Sequence, residues 1–406
     1  MNTNRVLSVC LTLFSSPALV SAADADRSPA KEAAGLVRQL SDESFEIRDA
    51  AHRRLTEMGK TAEAALRHGL SDDDAEVRRE CQLLLERALR SELTIALDAF
   101  LEDQQNQHVL RLPAWSRFKK VAADDPSAKA LFVEMCCNEA ALLDALEKNP
   151  REASEKFAAR CQQLQQAIFT PDGRRSAVTL GQVTALLFLA TDGRLQLTPQ
   201  AHYPLCTLFH QPLPSEGLQT NAVARRLLVA YLEQRSDPMF THQNLYLVMN
   251  FNLKERLGWA LKVAKNKSEQ SFIRATALAA IGKVGGKEHV AALETFLTDT
   301  TQLGQSQFNT VRIQTEMRDV ALAMIVQLSG QSAAEYGFPY LAQLQPALRA
   351  NPQNVFFAPT LLGFADSASR EAAFKRWKEW SEAEKRINHR GTEDTEKTEG
   401  KTLSRE

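Results

Sequence analysis

His202, Cys206 and His210 stand at i, i+4 and i+8 in "AHYPLCTLFH". On an unbroken helix the three would share one face, and imidazole and thiolate are both zinc ligands. Pro204 argues against that arrangement. A proline is best tolerated in the first turn of a helix, so a helix is expected to begin near Tyr203 and leave His202 outside it. No fourth ligand accompanies the three, and the expectation is no metal, with Cys206 in the core and the histidines partly exposed. "SDDDAE", residues 71–76, gathers carboxylates but lacks the alternation, glycine and terminal glutamate of a calcium loop, and reads as helix-capping acids. "KVGGKEH" follows a helical stretch and reads as a turn, not a phosphate cradle. No H-E-x-x-H, G-x-S-x-G, G-x-x-x-x-G-K-[ST] or G-x-G-x-x-G occurs, so the sequence points to no catalytic residue and no cofactor.

The elements that would position these residues are helical. "LSDESFEIRDAAHRRL" at Leu40 to Leu55 returns as "LSDDDAEVRRECQLLL" at Leu70 to Leu85. In the first copy Ile47, Ala51, Leu55 and Met58 fall on one face of a 3.6-residue helix. Val77, Cys81, Leu85 and Ala88 repeat the spacing, as do Ile273, Ala277, Ile281 and Val284, and then Met317, Ala321, Ile325 and Leu328. Each copy places an arginine after its first apolar residue: Arg48, Arg78, Arg274 and Arg318. Gly59 can end one helix, and Thr61 to Leu70 can form a shorter antiparallel one. The unit is a helical hairpin of about thirty residues that cannot cover its own apolar face, so copies must stack into a solenoid.

With Asp42 before Ile47 and Arg48, and Asp72 before Val77 and Arg78, the pattern resembles HEAT repeats of the armadillo-like class. The resemblance implies an all-α solenoid of stacked helical hairpins. It also implies that Asp42, Arg48, Asp72 and Arg78 form a structural ladder in which arginines of the second helices bond to turn aspartates. Ser268 and Arg312 stand where the later copies would carry the aspartate. "LPAWSRFKKVAADDPSAKALFVEM", "RDVALAMIVQLSGQSAAEYGF" and "FKRWKEW" also resemble exported bacterial proteins with HEAT pairs at the N-terminus, a similarity that implies no particular activity.

Residues 1–22 combine Arg5, an apolar run from Val6 to Phe14, and small residues Val20 and Ala22 before a cleavage point. They read as a secretory leader, so the mature chain is expected to be periplasmic or extracellular, without a membrane span. Five cysteines remain, Cys81, Cys136, Cys137, Cys161 and Cys206, an odd number at spacing that suits neither a disulfide framework nor a zinc module. The repeat pair is expected over residues 31–90, a helical connection over 91–170, and a HEAT-like helical region over 171–386. "SAVTLGQVTALLFLA" within that region reads as a buried helix, and "TDTTQLGQSQFNT", residues 298–310, as a surface loop. Residues 387–406 hold Ile387 and Leu403 as their large apolar side chains and are expected to be a disordered tail. Tyr336, Phe338, Tyr340, Phe356, Phe357, Phe374, Trp377 and Trp380 gather late. They read as a packed cap on the last repeat, or else as a patch for a partner or a sugar.

A formal charge of -1 gives no basic excess to attract nucleic acid. The expected function is an exported, non-catalytic scaffold that binds a protein partner through the concave face of its repeats. The alternative is a lyase-like or chaperone-like enzyme or cofactor carrier, with a pocket near residues 202–210.

Overall fold

The computed structural model describes residues 28–103, 112, 114–123, 125–168, 177–342 and 356–402. The expected leader lies outside these residues, as do residues 403–406 at the end of the expected tail. Helices dominate the described chain, in keeping with the all-α expectation, and two compact units divide it, Met1–Leu112 and Pro113–Glu406.

In the first unit α1 (Pro29–Gln39) pairs with α2 (Phe45–Met58), and α3 (Glu63–Gly69) with α4 (Ala75–Glu102). α1 packs on α3 and α2 on α4, so the second hairpin lies against the first. Gly59 closes α2 at a φ of +53°, where a side chain would be strained. The repeated apolar positions follow their period: Ala51, Leu55, Val77, Cys81, Leu85 and Ala88 are buried. Ile47 departs from the pattern at 41% exposed. Its counterpart Val77 is covered by the preceding hairpin, and no hairpin precedes Ile47 among the described residues. α4 runs unbroken past residue 90, where the pair was expected to end. It contains no glycine or proline, and Leu97 and Phe100 extend its buried face.

The second unit contains α5 (Trp115–Ala122), α6 (Ala128–Lys148), α7 (Pro150–Ile168), α8 (Leu180–Ala190), α9 (Pro199–Phe209), α10 (Pro212–Thr220), α11 (Ala222–Gln234), α12 (Thr241–Asn250), α13 (Leu257–Lys265), α14 (Ser271–Val284), α15 (Val290–Glu294), α16 (Met317–Leu328) and α17 (Ser367–Thr402). α6 packs on α8 and α7 on α9, across the division expected at residue 170. α14 packs against α12, α13 and α16. The apolar stretch around α8 is a buried helix, as its composition predicts. It starts from a reciprocal cap in which the Gln182 N–H donates to Thr179 Oγ1 and the Thr179 N–H donates to Gln182 Oε1, satisfying donors that the first turn leaves open.

The polar run 298–310 corrects the loop expectation. Gln302–Phe308 (β1) and Val311–Glu316 (β2) form an antiparallel hairpin in which Phe308 faces Val311. Asn309 and Thr310 make a two-residue turn, with Asn309 at a φ of +53°, as such hairpins require. α17 continues to Thr402, through the segment after residue 387 where composition predicts disorder. Glutamate and lysine in that segment are good helix formers.

Candidate functional site

The four ladder residues of the first unit meet in pairs, through the main chain. Arg48 Nη1 donates to the carbonyls of Asp42 at 2.7 Å and Glu43 at 3.1 Å. Arg78 Nη1 does the same to Asp72 and Asp73, at 2.6 and 2.8 Å. The aspartate side chains turn to their own loops: Asp42 Oδ1 accepts from the Ser44 N–H and Asp72 Oδ1 from the Asp74 N–H. Each arginine therefore caps the carbonyls of its own turn, where a helix C-terminus leaves acceptors open and favours positive charge.

The later copies use the arginine differently. Arg274 is buried; its Nε donates to the Ala264 carbonyl at the end of α13, and its Nη2 to Asp299 Oδ2 at 2.7 Å. Asp299 belongs to the turn ahead of β1, so these bonds of an α14 arginine tie the end of α13 to that turn. Burial pushes the Asp299 carboxyl upward, but bonds from Thr301 and Arg274 outweigh it and hold the group below its usual range. Arg318 pairs through its guanidinium with Glu316 at 2.6 Å, and only its main-chain N–H donates to the Asp299 carbonyl. The same use of arginine recurs elsewhere: Arg235 donates to the carbonyls of Ala190, Asp192 and Leu195, and Arg225 to those of Phe251 and Asn252.

His202, Cys206 and His210 do not come together as a ligand set. α9 begins at Pro199, not near Tyr203, and the His202 N–H donates to the Thr198 carbonyl at 2.9 Å. Pro199 occupies the favoured first position, so Pro204 falls in the second turn, where it forfeits a helical hydrogen bond. Burial of Ala201, His202, Leu205 and Cys206 offsets that loss. His202 is fully buried, which corrects the expectation of partial exposure. Its Nδ1 lies 2.7 Å from Tyr231 Oη, its Nε2 lies 3.6 Å from Cys206 Sγ, and its ring stacks on Phe240 at 3.8 Å. Both ring nitrogens thus have protein partners. Burial pushes the imidazole down to about 4 and the Cys206 thiol up to about 12. His210 sits at the end of α9 at the surface, stacked on Phe251. Among the described residues, no three His, Cys, Asp or Glu side chains are grouped as a metal site requires.

The other sequence candidates resolve into structure. In "SDDDAE", Asp74 Oδ1 accepts the Glu76 N–H at 2.8 Å and caps α4. Cys81, Cys136, Cys161 and Cys206 are buried thiols, and Cys137 is exposed. Arg226 pairs with Asp125 and the Ala122 carbonyl, while Arg225 also pairs with Glu255. Of the late aromatics, Tyr336, Phe338, Tyr340, Phe356 and Trp377 are buried, as a packed cap would be.

A surface with room for a partner lies in the first unit. Two grooves, of about 290 and 390 Å³, adjoin at His52, whose Nδ1 is 2.9 Å from Glu80 Oε2. Phe45 and Asp49 line the first, Leu83 and Arg87 the second. Phe45 is 71% exposed, and Ile95 on the same unit is 68% exposed. Ile47, Leu70, Leu83, Leu89 and Leu101 are also exposed large apolar side chains of residues 28–103. A signal did exist: Asp49, His52 and Leu83 are among the positions where the two repeat copies differ.

The chain matches no protein-family model, no curated protein and no solved structure.

Proposed function

We propose that this chain is an exported, non-catalytic stack of HEAT-like helical hairpins that binds another protein through its N-terminal hairpin pair. The observation that carries the reading is the pair of grooves meeting at His52, bordered by the solvent-facing Phe45 and Leu83. Phe45 lines one groove and Leu83 the other, so apolar surface borders the recess on both sides of His52, the kind of surface that marks sites of association. Stacking of α1 on α3 and α2 on α4 supports the solenoid reading, as does the packing of α14 against α12, α13 and α16. Charge, apolar run and small residues in 1–22 support export.

The enzyme or carrier alternative has its best candidate at His202, and there the geometry favours a structural role: both ring nitrogens are taken by Tyr231 and Cys206. Capture from the exported fraction tests the proposal. The natural chain should retain a protein partner that a Phe45→Ser, Leu83→Ser double variant of unchanged helicity does not. A small molecule retained in equal stoichiometry and released by Cys206→Ala would support the carrier instead.

A further inference from the structure

A second recessed surface lies in the other unit. α17, α15 and the end of α16 enclose a groove of about 330 Å³, near the low end of the roughly 300 to 1,000 Å³ typical of small-molecule sites. One wall is aromatic: Trp377 and Trp380, one helical turn apart on α17, stack with centroids 5.2 Å apart and planes 30° apart. Trp377 is buried and Trp380 half-buried. The rim carries Glu294 from α15, Glu384 from α17, Lys287 ahead of α15, and Ser329 after α16. Glu294 and Glu384 are half-buried and have no ion-pair partner among the described residues. On the same helix Glu379 pairs with Lys375 and Glu382 with Arg386.

The arrangement of the rings decides between two ligand chemistries. A cage for an organic cation surrounds the charge with several ring faces. Here the indoles lie on each other and offer a single platform, and an ammonium at Lys287 stands on the rim. An apolar platform bordered by two acceptor carboxylates, an ammonium donor and a hydroxyl complements a ring that is apolar on its face and hydroxylated at its edge. We propose that this groove binds a neutral pyranose, stacked on Trp380 and held by its hydroxyls donating to Glu294 and Glu384. The inference does not rest on the protein-binding reading, since it concerns a different unit and different side chains.

Tryptophan fluorescence of the full chain, titrated with cellobiose, maltose and chitobiose, tests it. At least one disaccharide should give a saturable change in emission. Trp380→Ala should abolish the change, and Glu384→Gln, which keeps the shape of the groove, should weaken binding about tenfold, as expected on losing a charge-assisted hydrogen bond. Should Trp380→Ala unfold α17, Glu384→Gln with an unchanged melting curve decides alone. No saturable response to any of the three sugars would overturn the proposal, as would equal binding by natural and Glu384→Gln chains. A saturable response to tetramethylammonium chloride with none to the three sugars would overturn it in favour of a cation site.

Discussion

His202 shows what burial does to a residue that looks chemically useful. Its imidazole, with Tyr231 on one nitrogen and Cys206 on the other, ties α9 to α11 inside the core. The unfolded chain binds a proton near the ordinary value of 6.5, whereas the folded chain resists it down to about 4. Between those values the unfolded state holds more protons, so stability should fall as pH drops from about 6.5 to about 4, by about 2 to 3 kcal/mol from this one group. Urea unfolding at several pH values checks this, and His202→Phe should flatten the dependence over that window. The spacing makes His202 visible as a candidate but misplaces it, because Pro204 resembles a helix start where Pro199 already fills that role. Tyr231 and Phe240, which hold the ring, lie far along the chain and carry no motif.

Between elements, arginine serves chiefly as a cap for carbonyls at helix ends, and its depth sets its worth. Arg78 is exposed and bonds within its own turn, while Arg274 is buried and joins α13 to the turn at Asp299. Arg78→Ala should therefore destabilise by only about 0.5 to 1.5 kcal/mol, and Arg274→Ala by about 3 to 5 kcal/mol, because the latter strands a carboxylate and a carbonyl. Thermal melts of the two variants check the order. A second buried pair anchors the last helix: Arg370 of α17 donates to Asp319 of α16 at 2.9 and 3.0 Å. Asp319→Ala removes both of those bonds and leaves the guanidinium to Glu316 and the Gln314 carbonyl, which should cost about 2 to 3 kcal/mol. Loss of amide exchange protection should be largest in α17. The repeat arginines were legible from their position after the first apolar residue. Their partners were less so, because Asp299 follows Arg274 by twenty-five residues where the pattern looks six residues upstream. The β1–β2 hairpin was hidden for a similar reason: Ile313 and Thr315 point inward, whereas β1 offers mostly glutamine, glycine and serine to solvent.

For the whole molecule, the mostly helical character was written in the 3.6-residue period of the apolar side chains and in signals such as Thr179 with Gln182. The division between the two units was not, because α4 carries its apolar face past residue 90 without a breaking residue. Surface sites were least legible. Each groove gathers residues from separate segments, Phe45 with Glu80 in one unit and Glu294 with Trp380 in the other, and no local spacing records such a meeting. The central claim is that the N-terminal hairpin pair is a protein-binding surface. Calorimetric titration of the captured partner tests it most directly, using the natural chain, the Phe45→Ser, Leu83→Ser double variant, and a chain truncated after Arg386. The double variant should lose about 2 kcal/mol or more of binding free energy, as for paired apolar anchors, while the truncated chain should bind like the natural one. Equal affinity for the natural chain and the double variant would contradict it.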